Sequence, residues 1–254
     1  MTATPPDAEP KPQPDRDTGY APSKWAFDGE VTRVFDDMLW RSIPGYAVMR
    51  QLCAGIAARH VRPGSIVVDL GCSRGGALAE VMAARKLGFP PASVEYVGAE
   101  ISPPMVAAAR ERFAHLPNVR IEEVDLRSSF PAVPAGGASV VLAVLTLQFV
   151  PIEHRARVVR RAAETLRQGD VMLVVEKILG GSSWADDLLV ADYYDFKRGN
   201  GYTQEEIDRK RLALEGVLVP QTEGANVAML LREGFREVEC FWRHLNFCGW
   251  IALR

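Results

Sequence analysis

The stretch Ile66-Val67-Val68-Asp69-Leu70-Gly71-Cys72-Ser73-Arg74-Gly75-Gly76 decides the fold. A β-branched apolar run ends in an acid, a glycine-rich turn follows, and helix formers (Ala77, Leu78, Ala79, Glu80) come next. An open α/β sheet uses this order of strand, tight turn and helix to direct backbone N–H groups at a nucleotide-like ligand. Gly71 and Gly75 can adopt backbone angles closed to residues with a Cβ, and they let a ligand approach the main chain. The turn departs from a strict G-x-G-x-x-G. Alone it specifies a nucleotide-like ligand at a sheet edge, and any tight βα turn is the plainer reading.

Outward from this turn, apolar runs and helical stripes alternate. Strands are predicted over 65–70, 94–99, 119–124, 139–145, 170–175, 235–242 and 246–253. Helices are predicted over 29–41, 46–60, 75–87, 103–114, 153–167, 182–196, 203–215 and 224–233. Such alternation implies a mainly parallel sheet with helices on both faces. The last two strands are too close in sequence to be parallel neighbours, so an antiparallel C-terminal hairpin is expected. The fold class is therefore α/β and Rossmann-like, with seven strands.

Composition narrows the function. The chain has 254 residues, 48% hydrophobic and 24% charged, enough for one large core. A net charge of -2 speaks against a nucleic-acid surface, which is usually basic. No apolar run is long enough for a membrane span and no signal core is visible, so a soluble cytoplasmic protein is expected. Cys53, Cys72, Cys240 and Cys248 show no C-x-x-C pairing, and the four histidines show no ligand spacing, so no metal or disulfide framework is expected. Residues 1–24 contain Pro5, Pro6, Pro10, Pro12, Pro14 and Pro22 among polar residues and read as a disordered tail. One domain is expected over 25–254.

Three acids fall at predicted strand ends, where such sheets bind ligands. Asp69 closes the first strand, Glu100 the second, and Asp125 follows the third. A carboxylate after the second strand can accept both hydroxyls of a ribose. Further on, Gly199-Asn200-Gly201 reads as a turn and Thr203-x-x-Glu206 as a capping box.

Asp69-Leu70-Gly71-Cys72-x-x-Gly75 resembles the first motif of class I S-adenosylmethionine (SAM) methyltransferases. The block Asp195-Phe196-Lys197-Arg198-Gly199-Asn200-Gly201-Tyr202 narrows the likeness, together with Trp25-x-Phe27-Asp28, Arg41-Ser42-Ile43-Pro44-Gly45-Tyr46, Thr146-Leu147-Gln148-Phe149, Glu176-Lys177 and Asn246-Phe247. As a set these resemble the carboxy-SAM synthase family from about residue 25 to the C-terminus. The family moves a carboxylate from prephenate onto SAM, supplying a cofactor for tRNA wobble-uridine modification. The resemblance implies cofactor contacts at Tyr46, Gly71, Cys72, Ser73, Glu100, Ile101, Asp125, Leu126 and Arg211, and a homodimer. It gives Arg211 the added carboxylate of carboxy-SAM, a task suited to a planar guanidinium.

Two positions depart from the family pattern. Val144 stands where the family has asparagine, and Glu100-Ile101 replaces an Asp-Asn pair. With these departures and the long tail, the expectation is methyl transfer from SAM to a small-molecule acceptor near Tyr46, Tyr194 and Tyr202. Formation of carboxy-SAM from SAM and prephenate is the alternative. A non-catalytic SAM-binding protein is a third reading of another class. The candidate catalytic residues are Arg211, Tyr202 and Tyr46. Arg155, Arg157, Arg160 and Arg161 read as a solvated helix face rather than an RNA surface. Tyr193, Tyr194 and Phe196 read as either pocket or core. Phe241, Trp242, Phe247 and Trp250 read as core or subunit contact, and Trp40 could serve the same contact.

Overall fold

A computed structural model describes residues 24–86 and 93–254. The tail expected over 1–24 lies, apart from Lys24, outside the described residues. Two helices lead into the sheet: α1 (Gly29–Ser42), whose first turn is capped by Asp28 accepting from the Val31 N–H, and α2 (Tyr46–His60). The chain then alternates through β1 (Ile66–Leu70), α3 (Gly76–Lys86), β2 (Glu95–Glu100), α4 (Pro103–Phe113), β3 (Val119–Glu123) and β4 (Ala138–Val144). It continues with a single 3-10 turn (Leu147–Phe149), α5 (Ile152–Thr165), β5 (Leu166–Leu179), α6 (Ser183–Gly199) and α7 (Gln204–Leu214). It closes with β6 (Gln221–Thr222), α8 (Glu223–Arg232), β7 (Glu237–His244) and β8 (Phe247–Leu253).

The main path of the sheet runs β3-β2-β1-β4-β5-β8-β7, with the short β6 beside β5. Pairings from β3 through β5 are parallel, and β8 pairs antiparallel with both β5 and β7. β4 is buried along almost its whole length, which explains its unbroken Val140-Val141-Leu142-Ala143 run. On one face of the sheet Val140, Leu142 and Leu173 share a core with Met49 of α2 and Leu78 of α3. On the other Leu70, Val141, Met172 and Trp250 share a core with Val159 of α5 and Leu230 of α8. Burying a side chain of this size is worth roughly 1.5–3 kcal/mol. The order reverses between β1 and β4, and the crevice at their C-terminal ends is where such sheets bind ligands.

The structure alters some expected boundaries. β5 begins at Leu166, before the predicted 170, and runs through the polar pair Glu176-Lys177 to Leu179. Glu176 tolerates the interior because its two oxygens accept from the backbone N–H groups of Leu147 (2.8 Å) and Gln148 (2.6 Å). β6 has only two residues and no sequence signature. The hairpin turn is Leu245-Asn246, leaving His244 in β7. Arg155 leaves the solvated face expected of it: only 2% exposed, it donates to the carbonyls of Val150, Gln148 and Val219. The capping box forms as read, with Thr203 Oγ1 accepting from the Glu206 N–H and Glu206 from the Thr203 N–H. Trp242, Phe247 and Trp250 are core. Among the described residues, no helix is long and apolar enough to cross a membrane.

Candidate active site

The glycine turn after β1 is built to stay open. Gly71 has φ +69°, and a Cβ there would lie 2.5 Å from Thr146 Cγ2 and 2.6 Å from its Oγ1. Thr146 is fixed in turn by donating to the Leu70 carbonyl at 2.7 Å. The N–H groups of Gly71 and Cys72 both donate to the Ala99 carbonyl, tying the turn to β2. At the end of β2, Glu100 accepts from the Ser73 N–H through Oε2 and from the Ile101 and Ser102 N–H groups through Oε1, each at 2.9 Å. One carboxylate therefore braces two strand ends. Its remaining lone pairs can serve hydroxyl groups, since each oxygen accepts twice.

Two adjoining cavities meet at this turn. The wider, about 830 Å³, is lined by Ser73, Glu100, Ile101, Asp125, Leu126 and Thr146 among others. That size suits a nucleoside. Asp125 carries a bidentate ion pair with Arg127, which holds its carboxyl below the usual range. The Ile101 side chain is exposed, and its N–H is already engaged by Glu100.

The narrower cavity, about 160 Å³, is lined by Tyr46, Arg50, Asp69, Gly71, Cys72 and, at its far end, Tyr193, Lys177, Lys197 and Lys210. Leu145 lines both cavities and is held in the left-handed region at φ +60°. Asp69 is fully buried, and Oδ2 has no hydrogen-bond partner among the described residues. Burial pushes its pKa up to about 7, against the pull of the Arg50 charge. An orphaned acid beside an open glycine turn fits the amino group of SAM, and the wider cavity fits its nucleoside. Arg50 chelates Glu80 and donates to the Tyr46 hydroxyl at 3.0 Å.

The far end is cationic. Lys177 Nζ lies 4.7 Å from the Tyr193 ring centroid, and Lys197 Nζ lies 5.5 Å from Tyr193 and 5.1 Å from Tyr202. Lys210 donates to the Tyr202 hydroxyl at 3.0 Å. Among the described residues, no carboxylate lies within ion-pair distance of Lys177 or Lys197; the charges of Asp186 and Glu206 act on them from further off, and aromatic faces lie closest. Burial lowers Lys177 to about 8, and burial together with the charges of Lys210 and Lys177 lowers Lys197 to about 7.

The structure thus brings together Tyr46, Asp69, Gly71, Cys72 and Ser73 in one cavity and Glu100, Ile101, Asp125 and Leu126 in the other. It keeps two candidates out. Tyr202 is buried behind the lysines, sharing a hydrogen bond with Ser42 Oγ and stacking under Arg41, so it positions cations rather than facing a ligand. Arg211 is on the exposed side of α7, where its charge is felt by the Tyr194 phenol. The sequence reading missed Arg50, Lys177, Lys197 and Lys210. A signal existed for two of them. Arg50 and Lys197 each sit four residues after a buried tyrosine, Tyr46 and Tyr193, on the inward face of a helix.

Comparison with known proteins identifies the fold and the family. Residues 67–169 match the methyltransferase domain family. The carboxy-S-adenosyl-L-methionine synthase of Chromohalobacter salexigens is 39% identical over 235 residues, covering 91% of this chain and 84% of that one. Its counterpart from Methylococcus capsulatus is 37% identical, covering 91% and 93%. Among solved structures, Haemonchus contortus phosphoethanolamine N-methyltransferase 2 in complex with SAM superposes with a TM-score of 0.63 at 10% identity, covering 90% of this chain and 57% of that one. A SAM-dependent methyltransferase from Aquifex aeolicus gives 0.56 at 12% identity, covering 90% and 99%. With its class I methyltransferase fold and a turn shaped for SAM, the chain belongs to the carboxy-S-adenosyl-L-methionine synthase family of SAM-dependent transferases.

Proposed function

We propose that this enzyme makes carboxy-SAM, taking the carboxylate from prephenate. One observation carries the choice over methyl transfer: Lys177 and Lys197 line the cavity beyond the glycine turn with no carboxylate in ion-pair contact among the described residues, and Lys210 lies beside them. Buried cations without carboxylate partners are costly unless a ligand supplies the opposite charge. Prephenate brings two carboxylates. A neutral methyl acceptor would leave Lys177 and Lys197 uncompensated, and an amine acceptor would be repelled. Val144, lining the same cavity where the family has asparagine, favours the methyl-transfer reading as second choice.

Bound SAM supplies a sulfonium-activated methyl carbon. In this reading Asp69 takes its amino group and Gly71, Cys72 and Ser73 leave room for its methionine portion. Glu100 takes the ribose hydroxyls, while Asp125, Leu126 and the Ile101 backbone flank the base. Tyr46, held by Arg50, closes the side of the methyl carbon. The lysines orient the second substrate, and Tyr202 holds two of them. Arg211 is exposed and lines neither cavity in the single chain, so the new carboxylate falls to the lysines.

Residues 25–254 act as one domain, a reading supported by the sheet that runs from β1 to β8. The chain works as a homodimer, for which Trp40, Trp184, Leu188 and Leu212 are exposed. It works in the cytoplasm, in keeping with four free cysteines.

The test is mass spectrometry of the nucleosides formed from SAM and prephenate. Carboxy-SAM is expected. S-adenosylhomocysteine without carboxy-SAM would return the assignment to methyl transfer.

A further inference from the structure

The far edge of the sheet gathers metal-ligating side chains that no part of the cofactor site uses. Cys240 on β7 and Cys248 on β8 are eight residues apart in sequence, but the hairpin makes them neighbours. Cys248 pairs in register with Arg243, and a bulge between Cys240 and Trp242 shifts Cys240 towards it. Their sulfurs are 3.5 Å apart. Glu223, the first residue of α8, brings a carboxylate oxygen within 4.8 Å of both. Its Oε2 accepts from Arg243 at 2.5 Å, leaving Oε1 free for another partner.

We propose that Cys240, Cys248 and Glu223 bind one thiophilic divalent cation of the zinc type. Two thiolates at about 2.3 Å from a tetrahedral ion stand about 3.8 Å apart, close to the separation found. Soft sulfur ligands select zinc or cadmium over magnesium or calcium. The charges also balance. Two thiolates and a carboxylate carry three negative charges, the cation offsets two and Arg243 the third. The two thiol protons pass to solvent as the metal–sulfur bonds form. Cys240 is exposed and Cys248 buried, so the ion enters from the Cys240 side and keeps a water as its fourth ligand. Arg243 holds the far oxygen of Glu223, the outer-shell role that orients a ligating carboxylate. The bound ion clamps the start of α8 to the edge strand β7.

The test uses the full-length, freshly reduced protein, with zinc titrated against a chromophoric chelator and cobalt(II) as the spectroscopic probe. One equivalent is expected at micromolar affinity or better, with a near-ultraviolet thiolate-to-cobalt band. Cys240→Ser lies on an exposed position and should weaken zinc by more than about 100-fold and diminish the band, since losing a ligand exceeds the loss of an outer-shell group. Arg243→Gln should weaken zinc by about 10–100-fold and keep the band. Cys53→Ser, in the core, should change neither. Three results would overturn the proposal. They are no zinc bound by the wild type, affinity unchanged in Cys240→Ser, or a Cys240–Cys248 disulfide in protein purified without reductant.

Discussion

Replacing Lys197 with methionine should make the protein more stable and its second-substrate site weaker at the same time. Methionine keeps an unbranched stem of similar reach and removes the charge. The drop of the Lys197 pKa from 10.5 to about 7 corresponds to about 5 kcal/mol against the charged form. Unfolded chain binds the proton up to about pH 10, so near neutrality folding carries most of that penalty. If half of it is relieved by relaxation around the site, the variant gains about 2 kcal/mol, which raises the melting temperature by roughly 4–8 °C at this chain length. Between about pH 7 and 10.5 the wild type should gain stability with rising pH, because the unfolded state holds the extra proton there, and the variant should lose that contribution, keeping the part that Lys177 supplies above about pH 8. Removing one partner of a buried charge pair costs about 2 kcal/mol or more, so dicarboxylate affinity should fall at least about 30-fold. Differential scanning fluorimetry across pH reads the first effect. Calorimetric titration with prephenate, with S-adenosylhomocysteine present, reads the second. A melting temperature that falls while prephenate affinity holds would show that Lys197 supports the fold and faces no ligand, and the reasoning from its burial would fail.

Other outcomes follow from the same geometry. The KM for prephenate should rise with pH as Lys197, at about 7, and then Lys177, at about 8, lose their charges, while the KM for SAM stays flatter; parallel profiles would contradict this division of the site. Gly71→Ala should destabilise the protein by about 1–3 kcal/mol and abolish measurable SAM binding, because it adds a Cβ at φ +69° against Thr146; calorimetry and urea unfolding check both. Glu176→Gln keeps one acceptor for two backbone N–H groups and should cost about 1–3 kcal/mol, read from the urea midpoint; an unchanged midpoint would mean that the 3-10 turn does not depend on this carboxylate.

What was legible in the sequence was local. The glycine turn, the acids at the ends of β1 and β2 and just after β3, the capping box at Thr203 and the antiparallel hairpin each depend on a few consecutive residues, and each takes its expected place. The cationic end of the cavity was not legible, because its parts come from β5, α6 and α7 and meet only when those elements pack. Lys177 lies just past the predicted strand 170–175, and Lys210 stands next to Arg211, the residue that drew the ligand reading. Arg155 was misjudged because a sequence cannot show three carbonyls arriving from residues 148, 150 and 219. The Cys240–Cys248 encounter depends on hairpin register and a bulge, neither of which spacing reveals.

The aromatic faces beneath the lysines have a consequence for the order in which products leave. Tyr193 and Tyr202 shelter Lys177 and Lys197 through ring electrons, a weak stand-in that any carboxylate displaces. In the proposed reaction prephenate arrives with two such groups and gives one up. The keto acid that remains keeps a single anchor. The transferred group stays beside the same ammonium ions, now attached to the sulfonium compound. The keto acid should therefore depart first, and the carboxylated nucleoside should leave last and slowest, accompanying the protein through purification.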